Sequence, residues 1–430
     1  MDRRKFLVNT AYLATASLMI PWSNEVFAKT RQTNFGSLSI IQGLTSETAT
    51  QFAIDLPKNA LVTVQAVDCD GVVIPAEKHS SEVRYYSEWR VDQVAFVNLK
   101  KNHQYQLQVI GLNGDIIDYR VFKTLDMSLP NPKIGIFSCM RDSSGGIDKM
   151  WQGLQSNKPD VMMFVGDNVY GDRGGEGPQH LWYCYTRTRQ KVPFYHQYEL
   201  IPVIATWDDH DFGLNNAQGD YLNKENSVKT FKAFYAQDER FVDNAISGPT
   251  ISCLYSVFGQ QLCLFDGRSN RNSDTQVMFG SEQLEWFTEV RGRFDGPVWL
   301  TMGSQFFGGY AEQESYEHQA YAEFGTFLEE VARWKDPALF IAGDRHFSEI
   351  MDIENSILGY NSVELTSSSM HSMTRPFSGK NPRRRSNHNH KNFMLLEINR
   401  DADGLDADLK IVGKKGKIKH RDHVSVKSNC

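Results

Sequence analysis

The sequence has little excess charge of either sign and few cysteines. Lys and Arg number 46 against 52 Asp and Glu, so the net charge is −6, which argues against a general binder of nucleic acids or anionic membranes. The six cysteines among 430 residues include no CxxC pair, which excludes the usual pattern of a structural zinc site. Beyond the N-terminus no apolar run is long enough for a membrane helix. We therefore expect no membrane span in the mature protein and no stable nucleic-acid complex.

Two features leave alternatives open. Cys253 and Cys263 flank a predicted hairpin, where they either form a cross-strand disulfide or stay free thiols. The segment 414–421 holds four lysines, a histidine and an arginine. It is either a solvated tail or a rim that attracts anions.

The first 28 residues have the pattern of a targeting segment. Arg3 and Arg4 precede an apolar stretch at 7–20, and residues 26–28 (VFA) resemble a cleavage site. This pattern predicts a twin-arginine signal peptide over residues 1–28. We expect the twin-arginine translocase as a partner, and a mature protein that begins near Lys29 and is periplasmic or secreted.

Residues 36–125 have the pattern of an all-β domain. Short alternating segments occur at 48–55, 61–68, 94–99, 105–112 and 116–124. Asp70-Gly71 and Asn113-Gly114 are strong hairpin turns, because glycine accepts a positive φ. The spacing predicts a small β-sandwich. Its expected role is structural, and the alternative is binding of carbohydrate or of the cell surface.

Residues 132–430 follow a proline-containing linker and have a different pattern. Helical stretches such as 147–154 and 281–290 alternate with apolar runs at 134–137, 161–165, 202–206, 261–265, 298–302 and 338–342. This alternation predicts an α/β fold whose sheet is covered on both faces. Ser281 is expected to cap its helix. A hairpin around Asp403-Gly404 is expected to close the sheet, and the polar segment 380–390 is expected to be a flexible loop.

Residues that bind metals or protons directly follow four of these apolar runs. They are Cys139 and the segments 166–170 (GDNVY), 207–211 (WDDHD) and 343–346 (GDRH). Because the carboxyl ends of parallel strands meet at one edge of a sheet, we expect these groups to converge. Asp, His, Cys and Tyr side chains at one place suit a two-metal phosphoester hydrolase.

The segment 207–211 carries the strongest signal. Its four consecutive ionisable residues would repel one another, and their carboxylate pKa values would rise unless a cation neutralised them. Asn215 and Asn216 follow and are candidate carbonyl-oxygen ligands. In the segment 343–346, residues two apart on an extended chain point the same way. Asp344 and His346 are therefore expected to share a site.

The combined pattern resembles the calcineurin-like metallophosphoesterases, whose strand ends carry a first ligand motif, then GD, then GNH, then GHxH. This chain has Ser138-Cys139 at the first motif, Asp209-His210 where Asn-His stands in the family, and Asp344-Arg345-His346 in place of His-x-His. These departures are similar to the alkaline phosphatase D (PhoD-like) branch, which also has an N-terminal β-sandwich and a twin-arginine signal. The segment 265–268 (FDGR) is similar to the LDTR strand of that branch.

The resemblance implies a fold and a set of cofactors. The implied fold is α/β, a four-layer calcineurin-like β-sandwich flanked by helices over residues 132–430, with a small all-β, fibronectin III-like domain over 36–125. It implies an iron(III) ion, Fe3+, held by Cys139, Asp167, Tyr170 and His346. It also implies calcium, Ca2+, near Asp167, Asp209 or Asn216, and Asp344. Thiolate, phenolate and imidazole suit a transition metal, whereas oxygen ligands alone suit calcium; Zn2+ or Mn2+ are the alternatives.

The expected activity is that of an exported phosphodiesterase, an alkaline phosphatase or both, using metal-activated hydroxide for in-line attack on phosphorus. His210 is the expected proton donor to the leaving oxygen. Arg141 or Arg345 is the expected phosphate ligand, while Gln305 and Arg268 either contact phosphate or are packed structural residues. The alternatives are a non-catalytic cell-surface binding protein on a metal-stabilised scaffold, and a zinc or manganese nuclease.

Overall fold

The computed structural model describes residues 37–308, 314–376, 379–400 and 402–427. The predicted signal peptide at 1–28 and Cys430 lie outside these residues. In the described part of the chain, no helix combines the length and the apolar character that crossing a membrane requires.

The first eight strands form two four-stranded antiparallel sheets that share one hydrophobic core. They are β1 (Ser39–Thr45), β2 (Thr50–Pro57), β3 (Val62–Val67), β4 (Val73–Pro75), β5 (Glu77–Val83), β6 (Trp89–Phe96), β7 (Gln104–Gly111) and β8 (Ile116–Lys123). The strand orders are β1-β2-β6-β5 and β4-β3-β7-β8. Both predicted hairpin turns are confirmed, with Gly71 at φ 80° before β4 and Gly114 at φ 83° before β8.

The remaining strands form two larger sheets, ordered β11-β10-β9-β20-β21-β22 and β12-β13-β14-β15-β16-β18-β17-β19. Their bounds are β9 (Lys133–Phe137), β10 (Val161–Val165), β11 (Val203–Thr206), β12 (Ala245–Ser247), β13 (Cys253–Val257), β14 (Gln260–Leu264), β15 (Val298–Thr301), β16 (Ala338–Ala342), β17 (Ser348–Ile353), β18 (Ser362–Thr366), β19 (Arg384–His388), β20 (Asn392–Ile398), β21 (Leu405–Gly413) and β22 (Ile418–Val426). The predicted hairpin around Asp403-Gly404 joins β20 to β21.

The described helices are α1 (Ile147–Ser156), α2 (Gly177–Lys191), α3 (Asp209–Phe212), α4 (Lys224–Phe234), α5 (Gly280–Val290), α6 (Tyr316–Gln319), α7 (Tyr321–Ala332) and α8 (Asn355–Leu358). Short 3₁₀ turns lie at Pro193–His196, Glu239–Phe241 and Lys414–Gly416.

The two large sheets stack face to face between two layers of helices. Alternate residues of β10 enter two cores: Met163 packs in the core shared with β14, β15 and β16, whereas Met162 and Phe164 pack against residues of α1, α2 and α4. Phe287 of α5 and Phe327 of α7 pack on the other side of the eight-stranded sheet. The fold is therefore α/β with four layers, as predicted, and burial on both faces explains the continuous apolar runs.

The helix cap predicted at Ser281 is wrong. Helix α5 begins at Gly280, and the carboxylate of Glu323 accepts the backbone N–H groups of Met278, Phe279 and Gly280 at 2.7, 3.1 and 2.8 Å. A carboxylate at a helix N-terminus also meets the positive end of the helix dipole. This cap comes from α7, so no local pattern around Ser281 could reveal it.

Two segments that were predicted to be irregular are strands. The expected loop at 380–390 contains β19 beside β17, and the alternative of a solvated tail at 414–421 is wrong because β22 pairs with β21 along its length. Both strands lie at sheet edges. In β22 the exposed Lys419 and Arg421 alternate with the half-buried His420 and Asp422. Because both faces carry polar side chains, the sequence shows no alternation of apolar and polar residues.

Cys253 and Cys263 are free, buried thiols, so the disulfide alternative is wrong. On the paired strands β13 and β14, Cys253 lies opposite Leu264, and Cys263 lies opposite Leu254. Side chains of neighbouring positions point to opposite faces of a sheet. The two thiols therefore point away from each other.

Candidate metal centre

The predicted strand ends converge at one edge of the stacked sheets. Strands β9, β10 and β11 run parallel and adjacent, and they end just before Cys139, Asp167 and Asp208. Strand β16 of the other sheet ends just before the segment that contains Asp344 and His346. The carboxyl ends of four strands from two sheets thus supply the side chains of one site.

Five of the predicted ligands have a left-handed backbone. The φ angle is 57° at Cys139, 54° at Asp167, 60° at Asn216, 61° at Asp344 and 59° at His346. Such a conformation costs a residue with a β-carbon on the order of 1 kcal/mol or more, and it concentrates at functional sites. The expected extended conformation of 343–346 is therefore wrong: a turn between β16 and β17, not strand alternation, places Asp344 and His346 at the same edge.

Glycine at position 343 allows the two sheets to meet. A β-carbon there would collide with the backbone oxygen of Val165, at the end of β10, and with Ser138 Oγ, after β9. Gly343 N also donates to Gly303 O, after β15, at 2.8 Å. The loops of four strands therefore touch around this glycine, which any larger residue would push apart.

The four residues predicted to hold one cation lie together. Ligand atoms of Cys139, Asp167 and His346 all lie within 4.8 Å of one another. Tyr170 completes the group, because its hydroxyl lies 3.2 Å from Asp167 Oδ2 and 3.2 Å from His346 Nε2. Cys139 Sγ is 3.5 Å from the same carboxylate oxygen.

A second group shares Asp167 with the first. Ligand atoms of Asp167, Asp209 and His210 also lie within 4.8 Å of one another, so the Asp167 carboxylate belongs to both candidate groups. Asp344 is half-buried and lies outside both groups, and burial, then the charge of Glu314, raises its pKa. Asn216 is exposed, and its recorded contact with the cluster is the donation of its backbone N–H to Asp209 Oδ2 at 2.6 Å.

The electrostatics of the cluster call for positive charge. Burial, then the charges of Asp209 and other aspartates, raises the pKa of Asp167 well above its usual value. Burial and then the charge of Asp167 likewise raise the pKa of the Cys139 thiol and of the Tyr170 phenol. Burial, then the charge of Arg375, lowers the pKa of His346 to about 4, so its imidazole is neutral and able to bind a metal.

A buried oxygen at the centre of this cluster has no hydrogen-bond partner among the described residues. It is Asp167 Oδ1, an atom of the carboxylate shared by both groups. Buried polar atoms are usually paired, and an unpaired carboxylate oxygen within a cluster of metal-binding groups fits a site for a bound ion. The donor set and this free oxygen fit a metal centre.

His210 is held by a residue that the motifs did not indicate. Its Nδ1 lies 2.8 Å from Asp172 Oδ1, and its ring stacks on Tyr170 at 4.2 Å between centroids. Burial alone would lower the pKa of His210, but the hydrogen bond to Asp172 and the charge of Asp209 outweigh it and raise the pKa. Asp172 lies five positions after Asp167 in the same loop, which is the one sequence signal that could have identified it.

Two serines that the sequence analysis missed bind the predicted ligands. Ser368 Oγ donates to Cys139 Sγ at 3.0 Å and accepts the backbone N–H of His346 at 2.9 Å. Ser372 Oγ accepts the Tyr170 hydroxyl at 3.0 Å. Both follow β18. Ser368 lies in a run of three serines at 367–369, which alone predicts nothing, and Ser372 is a single serine outside that run.

Arg268 and Gln305 are packed structural residues. Arg268 is fully buried and forms ion pairs with Asp208 and Glu314, each at 2.5 Å. It supports the loop after β11 and is closed to a substrate. Gln305, also buried, donates to Glu349 Oε2 at 3.1 Å.

The two candidate phosphate ligands differ in accessibility. Arg141, in the loop after Cys139, is partly exposed, and its Nε donates to Ser143 Oγ at 2.9 Å. Arg345 is 4% exposed, and its guanidinium lies 5.5 Å from the centroid of the Phe347 ring. Of the two, Arg141 has the exposure that contact with a phosphate requires.

Comparisons with known proteins place the chain among phosphoesterases. The profile of the calcineurin-like phosphoesterase family matches residues 132–346. A solved structure of PhoD shares 14% identity and covers 90% of this chain and 88% of its own, with a TM-score of 0.66. GAP50, the anchor in the inner membrane complex of Plasmodium, shares 13% identity and covers 70% of this chain and 90% of its own, with a TM-score of 0.44. The search of curated proteins found no matching sequence.

Proposed function

Because the chain belongs to the calcineurin-like phosphoesterase family and is a metal-dependent phosphoric ester hydrolase, we propose that it acts as an exported phosphodiesterase or alkaline phosphatase of the PhoD type. The observation that carries the proposal is the pair of ligand groups that share the Asp167 carboxylate, whose Oδ1 lacks a partner. Many enzymes that hydrolyse phosphoesters use a two-metal site.

We assign the first group, Cys139, Asp167, Tyr170 and His346, to Fe3+. Thiolate, phenolate and imidazole donors favour a transition metal over calcium. The second group is assigned to Ca2+ through the oxygens of Asp167 and Asp209, with Asp344 as a further proposed oxygen ligand. His210, the third member of that group, is assigned to proton transfer instead, because calcium takes oxygen ligands. When bound, such cations would lower the pKa of a water and offset charge on the phosphoryl oxygens.

Residues of the protein would protonate the leaving group and bind the substrate. His210 is engaged at Nδ1 by Asp172, which leaves Nε2 to give a proton to the leaving oxygen. Burial lowers the pKa of His210, but the hydrogen bond to Asp172 and the charge of Asp209 outweigh burial and raise it, a direction that favours proton donation. Arg141 would hold a phosphoryl oxygen from the solvent side. Tyr170 orients His210 by ring stacking.

Elemental analysis, with an assay on bis-p-nitrophenyl phosphate, tests the proposal. We expect iron and calcium in the purified protein, turnover that a chelator removes, and recovery when both metals return. Iron bound by Cys139 and Tyr170 should also give visible absorption that changes in Cys139→Ser and Tyr170→Phe. Zinc or manganese in place of iron would favour the nuclease alternative. Metal-independent turnover would refute the mechanism, and no turnover with metals bound would favour the non-catalytic binding protein.

We also propose export through the twin-arginine pathway, which the pattern at 1–28 supports. The test is export of a reporter fused to these residues. Replacing Arg3 and Arg4 by lysines should abolish export, since the pathway is named for that pair. Unchanged export of the lysine variant would contradict the proposal.

A further inference from the structure

Four exposed lysines surround the turn between β21 and β22. We call them the lysine ridge: Lys414, Lys415, Lys417 and Lys419. In the described part of the chain, no carboxylate lies within ion-pair distance of any of them. The segment 413–421 carries these four lysines and Arg421 but no Asp or Glu, although the whole chain has a net charge of −6. The ridge is therefore a local positive surface on an acidic protein.

The ridge is held in place and is not a free tail. Helix α1 packs on the turn so closely that a β-carbon on Gly153 would lie 2.8 Å from Gly416 N. Asn157 Nδ2 donates to Gly416 O at 3.3 Å, and Gly413 N donates to Lys417 O at 2.9 Å. The backbone that carries the lysines is thus held in place, which reduces the entropy lost when the turn binds a ligand.

Strand directions place the ridge beside the metal centre. Strand β20 runs antiparallel to β9, and β21 runs antiparallel to β20. The turn after β21 therefore lies at the same end of the sheet as Cys139, which follows β9. Neighbouring strands are about 4.8 Å apart, so two to three strand spacings put the ridge roughly 10–15 Å from Cys139.

Another lysine lies between the two. Lys391 precedes β20, and its Nζ donates to Gly145 O at 2.8 Å and His371 O at 2.7 Å. Burial and then the charge of Lys414 lower the pKa of Lys391, so the two cations are close enough to repel each other. His371 Nδ1 in turn lies 2.9 Å from Arg141 O, so Lys391 adds a cation between Arg141 and the ridge.

The distance between the ridge and the metal centre determines which phosphate groups the ridge can bind. Charges farther apart than about 8 Å are largely screened at physiological salt, so the ridge contributes little to binding of the phosphate at the metals. We propose that the lysine ridge is a second anion-binding site, which holds further phosphate groups of a substrate while one of its phosphoesters lies at the metal centre. The inference rests on the proposed function and narrows the substrate class to molecules with more than one phosphate.

A substrate series tests the proposal directly. The 5′-p-nitrophenyl esters of thymidylates with one to six phosphates serve as chemically uniform phosphodiesters, and p-nitrophenol release gives kcat/KM for each. We expect kcat/KM to rise with phosphate number at low salt. A plateau at two phosphates would indicate a small, multiply phosphorylated substrate, whereas a rise up to six would indicate a chain.

The double variant Lys415→Glu/Lys417→Glu should lose this preference. For the longer substrates we expect kcat/KM to fall at least about tenfold at low salt, and the slope of log kcat/KM against log salt to flatten by about 1.4, at 0.7 for each lost phosphate contact. For the single-phosphate ester kcat/KM should stay within about twofold when it is measured at physiological salt, where the ridge is screened from the metal centre. The matched control is Lys158→Glu/Lys335→Glu, since these lysines precede β10 and β16 and so lie at the opposite end of the strands.

Three results would overturn the proposal: equal kcat/KM for all lengths, an equal loss for short and long substrates, or the same loss in the control. If wild-type protein hydrolyses none of the esters, the proposed function fails but the ridge is still tested. Fluorescence anisotropy of a labelled hexathymidylate would then have to show salt-sensitive binding that the Lys415→Glu/Lys417→Glu variant loses. Binding that the variant keeps would refute the ridge on its own.

Discussion

Buried charge is arranged in opposite ways in the N-terminal sheets and at the metal centre. In β8 the side chains of Arg120 and Asp118 are fully buried and bind each other at 2.7 and 3.1 Å. Arg120 also donates to the backbone oxygens of Leu38 and Gln197. At the metal centre, by contrast, buried acids gather around Asp167, whose Oδ1 has no partner among the described residues.

The two arrangements differ in whether the protein neutralises its own buried charge. The Arg120–Asp118 pair does so, whereas the acids around Asp167 require a bound cation. Where the chain supplies both charges, each group is neutralised and hydrogen-bonded, and the pair needs nothing else. At Asp167 and Cys139, burial and the charges of neighbouring acids raise the pKa values, and a cation would reverse that effect. Buried acids without their own counter-charge are therefore the part of this molecule that indicates chemistry.

Asp167→Asn should have the largest effect of the variants proposed here. It should remove activity without lowering the stability of the metal-free protein. We expect turnover and bound metal to fall by more than the roughly 100-fold that loss of an outer metal-site group causes. Metal-free protein should be as stable as wild type or more stable, since the neutral amide is not penalised by burial as the carboxylate is. Metal content, hydrolysis of bis-p-nitrophenyl phosphate and urea unfolding measure the three quantities.

The exposed Asp274→Asn is the control for Asp167→Asn and should change none of these quantities. A metal-free Asp167→Asn protein that is several kcal/mol less stable than wild type would contradict the comparison. It would mean that the carboxylate is paired within the chain.

Asp118→Asn should have the opposite outcome. Removing this carboxylate leaves the Arg120 guanidinium buried without a counter-charge, which typically costs about 3–5 kcal/mol of unfolding free energy. Metal content should not change. The exposed Asp115→Asn, in the turn before β8, is the control and should lie within about 0.5 kcal/mol of wild type. Equal urea midpoints for the two variants would show that the buried pair contributes no net stability.

Local patterns predicted the parts of the fold and site that depend on a few neighbouring residues. Apolar runs identified the buried strands, and the residues that follow them gave Cys139, Asp167 and Asp209. The same logic failed for β1, whose seven residues (SIIQGLT) are all buried but include Ser, Gln, Gly and Thr, so that neither an apolar run nor an alternation marks it. It failed for β19 and β22 because sheet edges carry polar residues on both faces.

The supporting residues of the site could not be predicted from local patterns. Ser368 contacts Cys139 across 229 positions, and Ser372 contacts Tyr170 across 202. Serine is common in loops, so its presence there carries no signal until the fold brings the loops together. The turn that places His346 was missed for a similar reason, because its left-handed residues are neither glycine nor asparagine.

Asp172→Asn tests an acid beside the metal centre that is paired with a residue of the protein, His210. The amide cannot stabilise the protonated form of His210, so proton donation to the leaving oxygen should weaken. We expect kcat to fall about 10–100-fold, less than the roughly 100- to 10,000-fold expected for His210→Ala. The loss should be greater for phenyl than for p-nitrophenyl esters, since a poorer leaving group depends more on the acid.

Metal content should survive in Asp172→Asn, and the exposed Asp220→Asn is the matched control. Equal losses for both leaving groups would assign Asp172 a purely structural role.

Asp55→Asn examines the exception within the N-terminal sheets. Burial raises the pKa of Asp55 to about 7, opposed by the charge of Arg189 on α2, and Asp55 Oδ2 has no partner among the described residues. Between pH 4 and 7 the folded protein keeps a proton that the unfolded chain releases, so stability falls as pH rises through this window and stays lower above it. The neutral amide removes that dependence. We expect equal stability of variant and wild type near pH 4 and an advantage of at least about 1.4 kcal/mol for the variant at pH 8, the equivalent of one pKa unit. Urea unfolding at each pH measures this difference, and other titrating groups cancel because both proteins contain them. If the unfolding free energies of the two proteins changed with pH in parallel, Arg189 would neutralise Asp55 completely. Asp55 would then be a paired buried charge like Asp118.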